Sequence, residues 1–269
     1  MENINKFLLV AEETALIGGD ILRAGFGTLF DISSKEGKNN LVTEYDIKAE
    51  KAIIENILKH FPDHEILAEE SGLKSMPKSS YRWIIDPLDG TVNFAHNIPI
   101  FSVSIACEKD GEIICGVIYH PLLSEMFTAS KGGGAYLNGK VLKVSENSEL
   151  DNAILVTGFP YNVDENPFNC LGTFVNMVKK GIPVRRLGSA ALDLVYVAAG
   201  RFDGFWEAEL KPWDVAAGAI ILTEAGGKLS DYYGKEYSIY GKTILATNGK
   251  IHDSALKVIN GSIDESKSI

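Results

Sequence analysis

Four short runs rich in β-branched and aromatic residues follow one another in the middle of the chain. They read YRWII, FSVSIAC, EIICGVIY and EMFTAS, and turn residues such as Lys109-Asp110-Gly111 separate them. Short apolar runs bounded by such residues are typical of β-strands joined by turns. We therefore expect these four runs to form an antiparallel sheet.

Two helical patterns precede these strands. Apolar residues recur at helical spacing from Ile4 to Leu22, and Gly25 marks the end of that helix. A second helix carries apolar residues from Ile47 to Leu58 and stops at Phe61-Pro62. Between the two helices, the polar stretch SSKEGKNN at residues 33–40 is expected to be a mobile loop.

Helices and strands alternate in the rest of the chain, a pattern typical of α/β structure. The predicted strands are AILVTGF, FDGFWEA and TILAT, and the predicted helices cover residues 170–180, 189–199 and 215–225 and the segment after Gly249. No internal repeat or long linker interrupts the chain. We predict one domain, 1–269, whose halves 1–145 and 146–269 share an interface.

Composition and charge exclude several classes of protein. The chain has 269 residues, a formal net charge of −10 and ordinary globular hydrophobicity, so it is long enough to bury a large core. The negative charge argues against a nucleic-acid partner. No apolar run approaches the roughly 20 residues that cross a bilayer, and the N-terminus lacks a signal-peptide pattern. We predict a cytoplasmic protein with no membrane contact.

The cysteines agree with a reducing compartment. Cys107, Cys115 and Cys170 form no CxxC pair, and an odd number cannot all be paired within one chain. We expect three buried, reduced thiols. The five histidines show no metal-ligand spacing such as HExxH, so we assign them to surface or packing positions.

The segment WIIDPLDGT ends an apolar run on two carboxylates. Pro87 keeps Asp86 extended, and Gly90 can adopt the positive φ of a sharp turn. Asp86, Asp89 and the carbonyl of Leu88 can then face one point, which suits a hard cation such as Mg²⁺. The alternative is a turn whose aspartates only accept hydrogen bonds from backbone N–H groups.

Two further carboxylates bear on this choice. Glu69 ends the short apolar run Ile66-Leu67, where a Glu pair would ordinarily be a solvated loop. Asp214 stands at the start of a helix of small residues, where an N-cap role is a sufficient explanation. A metal site requires Asp214 to meet Asp86 and Asp89 in space, and spacing alone leaves both interpretations open.

Several segments together resemble the signature sequences of the inositol monophosphatase family, in its bacterial form. They are Glu69-Glu70-Ser71, the run WIIDPLDGTVNF from Trp83 to Phe94, the run WDVAAG from Trp213, and TEAGG from Thr223. The order of elements is similar across nearly the whole chain. The resemblance implies an α+β fold, a layered α-β-α-β-α sandwich shared with fructose-1,6-bisphosphatases. It also implies Mg²⁺ dependence, lithium sensitivity and a homodimer.

The resemblance assigns metal ligands. Glu69, Asp86 and the Leu88 carbonyl match the ligands of a first Mg²⁺, and Asp86, Asp89 and Asp214 match those of a second. Two cations about 4 Å apart can activate a water and stabilise the leaving oxygen during in-line displacement at phosphorus. Glu69 also belongs to the implied catalytic residues.

Thr91 and Asp46 match the family's pair that orients the attacking water. Asp46 can equally belong to a helix-start signature in Thr43-Glu44-Tyr45-Asp46, and both roles can coexist. Lys35, in the predicted loop, matches a position near a weaker third metal, although a solvated lysine is an equal alternative.

Substrate contacts are also implied by the resemblance. Glu207 matches the acidic contact to inositol hydroxyls, although a strand residue that faces water is the alternative. The matching positions around the phosphate and the ring are Asp89, Gly90, Thr91, Arg185, Gly188, Ala190 and Asp214. Most implied metal ligands thus lie in the first half, and the last ligand and most substrate contacts lie in the second.

The function implied is a phosphomonoesterase acting on myo-inositol 1-phosphate and related small polyol phosphates. Fructose-1,6-bisphosphatase, histidinol phosphatase and 3'-phosphonucleotide phosphatase activities remain open within the fold, because the aromatic segment GFPY at Gly158 can admit other esters. A pseudo-enzyme or regulatory scaffold is the non-enzyme alternative. The chain lacks the D-x-D spacing of haloacid-dehalogenase phosphatases and the full P-loop and EF-hand patterns.

Overall fold

A computed structural model describes residues 4–29, 31–34, 41–76 and 79–266. Two amphipathic helices come first, α1 (Ile4–Gly25) and α2 (Glu44–His60), and they pack against each other. Their contact is close at the end of α1, because a Cβ on Gly25 would lie 2.4 Å from the Tyr45 ring. Both helices were predicted from apolar periodicity, and the structure confirms them.

The segment between these helices differs from its prediction as a loop. A short strand β1 (Ile32–Ser34) pairs antiparallel with β2 (Leu41–Thr43), so Ser33 and Ser34 belong to a strand. Pairing with β2 gives the backbone groups of β1 hydrogen-bond partners within the protein, whereas the polar sequence had indicated a loop exposed to solvent. Residues 35–40, including Lys35 and its implied third-metal role, lie outside the described residues.

An eight-stranded sheet forms the centre of the first half. Its strands are β3 (Glu65–Ala68), β4 (Gly72–Lys74), β5 (Tyr81–Asp89), β6 (Ser102–Lys109), β7 (Glu112–His120), β8 (Glu125–Ser130), β9 (Gly134–Leu137) and β10 (Lys140–Val141). The order is β10-β9-β8-β7-β6-β5-β3-β4. The four predicted runs pair antiparallel as expected, whereas β3 lies parallel to β5 and makes the sheet mixed.

The second half builds a five-stranded sheet in the order β12-β11-β13-β15-β14. Its strands are β11 (Leu155–Thr157), β12 (Val184–Arg185), β13 (Gly204–Ala208), β14 (Lys228–Ser230) and β15 (Thr243–Thr247). The remaining described α-helices are α3 (Thr91–Ala95), α4 (Cys170–Lys179), α5 (Ala190–Ala198), α6 (Pro212–Glu224) and α7 (His252–Ser266). The predicted elements are confirmed, and the short strands β12 and β14 are additional.

The elements stack in five layers. Helices α1 and α2 cover one face of the eight-stranded sheet, α5 and α6 lie between the two sheets, and α4 and α7 cover the outer face of the five-stranded sheet. This is the α-β-α-β-α sandwich that the resemblance implied. The boundary between halves 1–145 and 146–269 stays a prediction.

His64, Trp206 and the three cysteines pack in the interior. His64 stacks between Phe61 and Tyr81, with centroids 4.7 Å from each, and its Nδ1 accepts a hydrogen bond from Trp83 at 3.1 Å. Trp206 is buried in the outer layer, and the three cysteines, all in the described part of the chain, are buried and form no disulfide. Among the described helices, none is long and apolar enough to span a bilayer.

Candidate active site

The first two carboxylates come from the end of β5. The predicted run YRWII ends at Ile85, but β5 continues to Asp89 through an irregularity. Asp86 pairs with Ser104 and Asp89 with Ser102, so β5 contains one extra residue there, as in a β-bulge. Pro87 has no N–H to donate and fits such a position. Leu88 N–H donates to Asp86 Oδ1 at 2.9 Å.

A sharp turn follows at Gly90. Its φ is +98°, and a Cβ there would lie 2.9 Å from the carbonyl oxygen of Ile100. Both the backbone conformation and the lack of space therefore require glycine. The turn leads directly into the short helix α3, so Gly90 and Thr91 lie beside the two carboxylates of β5.

Asp89 is held by the start of helix α5. Its Oδ2 accepts hydrogen bonds from the Ser189 hydroxyl and from Ala191 N–H, the latter at 2.9 Å. Ser189 is also the N-cap residue of α5. Ala190, an implied substrate contact, is the first residue of this helix and is buried. The sheet of the first half and a helix of the second thus meet at Asp89.

Glu69 lies in the turn between β3 and β4, which a buried carboxylate from α2 supports. Glu50 accepts hydrogen bonds from Glu70 N–H at 2.8 Å and Ser71 N–H at 2.9 Å. Glu69 N–H donates to Ile85 O at 3.2 Å, which ties the turn to β5. The turn is therefore fixed next to Asp86 and is not a free solvated loop.

Asp214 belongs to the first turn of α6. It is the third helical residue and not the N-cap, which is Lys211. Its Oδ2 accepts a hydrogen bond from Lys211 N–H at 2.7 Å, a capping role that satisfies one unpaired donor of the helix start. Ser104 of β6 donates to Trp213 O at 3.1 Å and joins this helix start to the strand beside Asp86.

Glu69, Asp89 and Asp214 all lie close enough to Asp86 to repel its carboxylate. Burial, followed by repulsion from Glu69, Asp89 and Asp214, raises the pKa of Asp86 well above its ordinary value. Burial and then repulsion from Asp89 also raise the pKa of Asp214. Burial raises the pKa of Asp89 to about 6, although its bonds from Ser189 and Ala191 act in the opposite direction.

The donor set suits a hard cation, although it is not a preformed cage. Among the described residues, no three histidine, cysteine or acidic side chains are gathered as a ready metal-binding group. Asp86, Asp89 and Asp214 accept backbone N–H groups instead. Mutual repulsion of buried carboxylates is costly, and a bound divalent cation would offset it with the oxygen ligands that such ions prefer.

Thr91 and Asp46 meet beside this group. Thr91 Oγ1 lies 3.0 Å from Asp46 Oδ1 and 3.0 Å from the Leu88 carbonyl oxygen. Asp46 Oδ2 accepts from Thr43 N–H at 2.8 Å, so Asp46 also caps α2. Burial raises the pKa of Asp46 to about 6, while its hydrogen bonds with Thr43 and Thr91 oppose the shift. Both roles considered for Asp46 are thus compatible with one geometry.

Glu207 approaches the site from β13. It is buried, and burial followed by repulsion from Asp214 and Asp89 raises its pKa to about 8. It is therefore not a strand residue facing water. The arginine whose charge opposes this shift is Arg186, whereas the implied contact Arg185 is exposed and bonds to Val184 O at 3.3 Å.

Gly188 lies where the two halves meet. Its φ is +84°, and Asn93 Nδ2 donates to the neighbouring Leu187 O at 2.8 Å and to Ile100 O at 2.8 Å.

Phe159, from the aromatic segment GFPY, packs edge-on against Phe174 with centroids 5.5 Å apart. The guanidinium of Arg186 lies over the Phe159 ring, 5.5 Å from its centroid.

Comparison with known proteins decides the family. The profile described as inositol monophosphatase family matches residues 3–265. This chain belongs to the inositol monophosphatase family. Membership implies a metal-dependent phosphatase that acts on small molecules.

Relatives with this family's fold carry several names. A fructose-1,6-bisphosphatase/inositol-1-monophosphatase from Thermotoga maritima is 41% identical, with 92% of this chain and 93% of that protein covered. The Nus factor SuhB of Pseudomonas aeruginosa is 42% identical, with 94% and 95% covered. The structure of an inositol monophosphatase from Anabaena (Nostoc) sp. PCC 7120 gives a TM-score of 0.87 at 42% identity, with 96% and 97% covered.

Some residues that support the site of this inositol monophosphatase family member were not predicted from the sequence. Glu50 was missed, although a carboxylate on the apolar stripe formed by Ala49, Ile53 and Ile57 was the available signal. Ser189 and Asn93 were also missed as supports of the site. Their signals were weak, because a capping serine and a turn asparagine are ordinary at such positions.

Proposed function

We propose that this protein is a Mg²⁺-dependent phosphomonoesterase that hydrolyses myo-inositol 1-phosphate and related polyol phosphates to the alcohol and inorganic phosphate. The observation that supports it most is the electrostatic coupling of Asp86 to Glu69, Asp89 and Asp214, which come from three separate parts of the chain to one place where Asp86 and Asp89 are buried and the other two are half-buried. Such an accumulation of like charge has a clear use when cations and a phosphate ester bind there.

The proposed ligands divide into two sets. Glu69, Asp86 and the Leu88 carbonyl would hold one Mg²⁺, and Asp86, Asp89 and Asp214 would hold a second. When bound, the cations supply Lewis-acid stabilisation of charge at the phosphoryl group. Asp86 would belong to both sets, which agrees with the influence of all three other carboxylates on its pKa.

Thr91 and Asp46 orient the water that attacks phosphorus. The Thr91 proton is directed to Asp46 or to the Leu88 carbonyl, because both oxygens lie 3.0 Å away. The Thr91 oxygen therefore retains lone pairs that accept a hydrogen bond from the water. Glu69, in the turn between β3 and β4, is proposed as a second carboxylate near the attacking water. Backbone N–H groups of Gly90 and Thr91 are proposed to bind phosphate oxygens.

Glu207 is the proposed specificity contact for the alcohol. Its carboxyl is buried near Asp214 and Asp89 and can pair with hydroxyl groups of a polyol. Backbone groups of Gly188 and Ala190 are proposed to contact the alcohol as well. Arg185, which is exposed, is proposed to contact it at the outer edge of the site. The relatives named after both fructose-1,6-bisphosphate and inositol phosphate favour a panel of sugar and polyol phosphates over a single ester.

Phosphate release with and without EDTA tests this proposal. The purified protein is expected to release phosphate from myo-inositol 1-phosphate with Mg²⁺, to lose this activity after EDTA treatment and to regain it when Mg²⁺ is restored. Full turnover after thorough removal of metal would contradict the mechanism. Ranking the panel by kcat/KM then separates inositol phosphate from fructose 1,6-bisphosphate, histidinol phosphate and 3'-phosphonucleotides.

Other properties follow from the family and remain predictions for this chain. We expect a homodimer, inhibition by Li⁺ and a cytoplasmic location. A net charge of −10 gives no general attraction to nucleic acid, so a small phosphate ester remains the proposed partner.

A further inference from the structure

Gly158 stands directly opposite Glu207 across two parallel strands. Thr157, the last residue of β11, is in register with Trp206 of β13, so the next pair along the strands is Gly158 and Glu207. The Thr157 hydroxyl donates to Trp206 O at 2.6 Å and fixes this register at the end of β11. The position of Gly158 relative to Glu207 is thus set by the sheet.

The Glu207 carboxylate occupies the space that a side chain at position 158 would need. A Cβ on Gly158 would lie 2.2 Å and 2.3 Å from the two carboxylate oxygens of Glu207 and 2.4 Å from its Cδ. These separations are far below van der Waals contact. The φ of Gly158 is not in the left-handed region, so the requirement for glycine here concerns space and not backbone conformation.

Glu207 is the group that must move when a side chain is added at position 158, because all three atoms that the Cβ would meet are at the end of the Glu207 side chain. It is 8% exposed, and the carboxylates whose charges act on it are Asp214 and Asp89. Asp193, on the adjacent helix α5, is also fully buried, and Glu207 and Asp89 both repel its carboxylate. A displaced Glu207 carboxylate would have to rearrange within this crowded acidic interior, or leave the side of the site where a polyol would bind.

We propose that Gly158 is a specificity-determining position, because its missing side chain gives the Glu207 carboxylate its place beside the substrate alcohol. This inference rests on the proposed function. A residue with a Cβ at position 158 displaces Glu207, and hydroxyl groups of the alcohol then lose their acidic partner. Hydrogen-bonding sites discriminate strongly between substrates that carry the matching hydroxyl and those that lack it. We therefore expect kcat/KM to fall for polyol phosphates and to change little for esters whose leaving group has no further hydroxyl.

Gly158→Ala tests the proposal on two esters. For myo-inositol 1-phosphate we expect kcat/KM to fall by about tenfold or more, and for phenyl phosphate, whose leaving group has no further hydroxyl, by less than about threefold. Gly261→Ala is the matched control, because nothing lies within 4 Å of its added Cβ. Thermal unfolding of each variant shows whether the fold is retained.

A double-mutant comparison with Glu207→Ala makes the test independent of a general structural effect. If Gly158 acts through Glu207, the double variant Gly158→Ala/Glu207→Ala resembles Glu207→Ala alone on myo-inositol 1-phosphate, since alanine at 207 also removes the clash. This comparison also covers the case in which Gly158→Ala alone folds poorly, because the double variant has room for the added methyl group.

The outcomes are distinct. Selective loss on the polyol ester together with non-additive effects supports the proposal. Equal losses on both esters, no loss on either, or additive effects of the two substitutions would overturn it while leaving the phosphatase function intact. A wild-type protein that hydrolyses neither ester with Mg²⁺ present contradicts the proposed function itself, before any variant is compared.

Discussion

Single side chains in this protein carry two roles at once. Asp46 caps helix α2 through Thr43 and receives the Thr91 hydroxyl at 3.0 Å. Asp214 satisfies a donor at the start of α6 and contributes to the acidic site. An ordinary capping role and a site role are therefore not alternatives, because one carboxylate oxygen can serve the helix while the other faces the site.

Thr91→Val removes the hydroxyl and keeps the shape of the side chain. We expect kcat for myo-inositol 1-phosphate to fall by about 100-fold or more with a small change in KM, because the variant cannot orient the attacking water. Steady-state kinetics with saturating Mg²⁺ measure both constants.

Thr14→Val is the matched control for that change. Thr14 is fully buried, and its hydroxyl accepts a hydrogen bond from Asn56 Nδ2 at 2.8 Å between α1 and α2. The Thr14→Val substitution is expected to lower the free energy of unfolding by about 1 kcal/mol without a comparable loss of kcat. A Thr91→Val enzyme as active as wild type would show that the hydroxyl does not position the water.

Residue patterns could identify the acids of the site but not all of their supports. Asp86 and Asp89 were visible because a strand that ends in two carboxylates is unusual for a buried run. Glu50 was hidden, because its contact with the Glu69 turn joins residues about twenty positions apart in sequence. Which arginine faces Glu207 was equally unpredictable, since Arg185 and Arg186 differ only in side-chain direction.

The ends of several elements meet at the site. The bulged end of β5 delivers two carboxylates, the turn after β3 and the start of α6 deliver one each, and the start of α5 delivers hydrogen-bond donors to Asp89. Apolar periodicity predicted that these helices and strands exist. It could not predict where β5 ends, because a bulge depends on pairing with β6 and not on the local pattern.

Glu50→Gln tests how the turn that carries Glu69 is held. The glutamine keeps one acceptor oxygen and places an NH₂ group where a carboxylate oxygen received a backbone N–H. We expect the Mg²⁺ concentration for half-maximal activity to rise by about tenfold. Glu55→Gln, at an exposed site on the same helix, is the control, and an equal effect of both changes would argue against this role.

Helix α7 begins on a buried, neutral histidine. His252 is 1% exposed, its Nδ1 lies 3.0 Å from Thr247 Oγ1, and its Nε2 lies 3.0 Å from Ser230 Oγ. Burial, then the charge of Lys228, lowers the pKa of His252 to about 4 from an ordinary value of 6.5. Below pH 6.5 the unfolded chain therefore binds a proton that the folded protein does not, until the pH falls to about 4.

His252→Gln is expected to reduce the loss of stability on acidification. Between pH 7 and pH 5 the free energy of unfolding of the wild type should fall by about 1 kcal/mol more than that of the variant. Denaturant unfolding at both pH values measures this difference, with His96→Gln at an exposed position as the control. If the free energy of unfolding changed equally with pH in the wild type and in His252→Gln, this histidine would not contribute to the acid sensitivity.

At the scale of the whole molecule, repulsion among the acidic groups of the site is expected to lower the free energy of unfolding of the metal-free protein. Four acidic groups converge inside a protein whose net charge is already −10. Natural proteins are only marginally stable, so buried repulsion of this kind is a measurable fraction of the total. The metal-free protein should accordingly be less stable than the loaded one, since ligands that bind only the folded state stabilise it.

Asp86→Asn separates the repulsion from the metal binding. The amide keeps an oxygen for the Leu88 N–H and removes one buried negative charge. In EDTA we expect the variant to unfold at a temperature a few degrees higher than wild type, since about 1 kcal/mol shifts the midpoint by roughly 2–4 °C at this size. With Mg²⁺ the wild type should gain stability and the variant little. A destabilised variant in EDTA would argue against net repulsion at Asp86.

The layered architecture could be predicted only through the resemblance. Periodicity identified most helices and strands, but it does not specify which strands become neighbours. The parallel contact of β3 with β5 and the order of the five-stranded sheet depend on long-range packing. The same reason explains why spacing could not show that Asp214 lies near Asp86, although the two are joined in space through the contact of α6 with β6.

Calorimetric titration of metal-free protein with Mg²⁺ tests the central claim most directly. The carboxylates at 69, 86, 89 and 214 should bind Mg²⁺ together, so wild type is expected to show saturable binding, and Asp214→Asn is expected to lose a site or bind at least about tenfold more weakly. Binding of the same number of Mg²⁺ ions with unchanged affinity in Asp214→Asn would contradict the account.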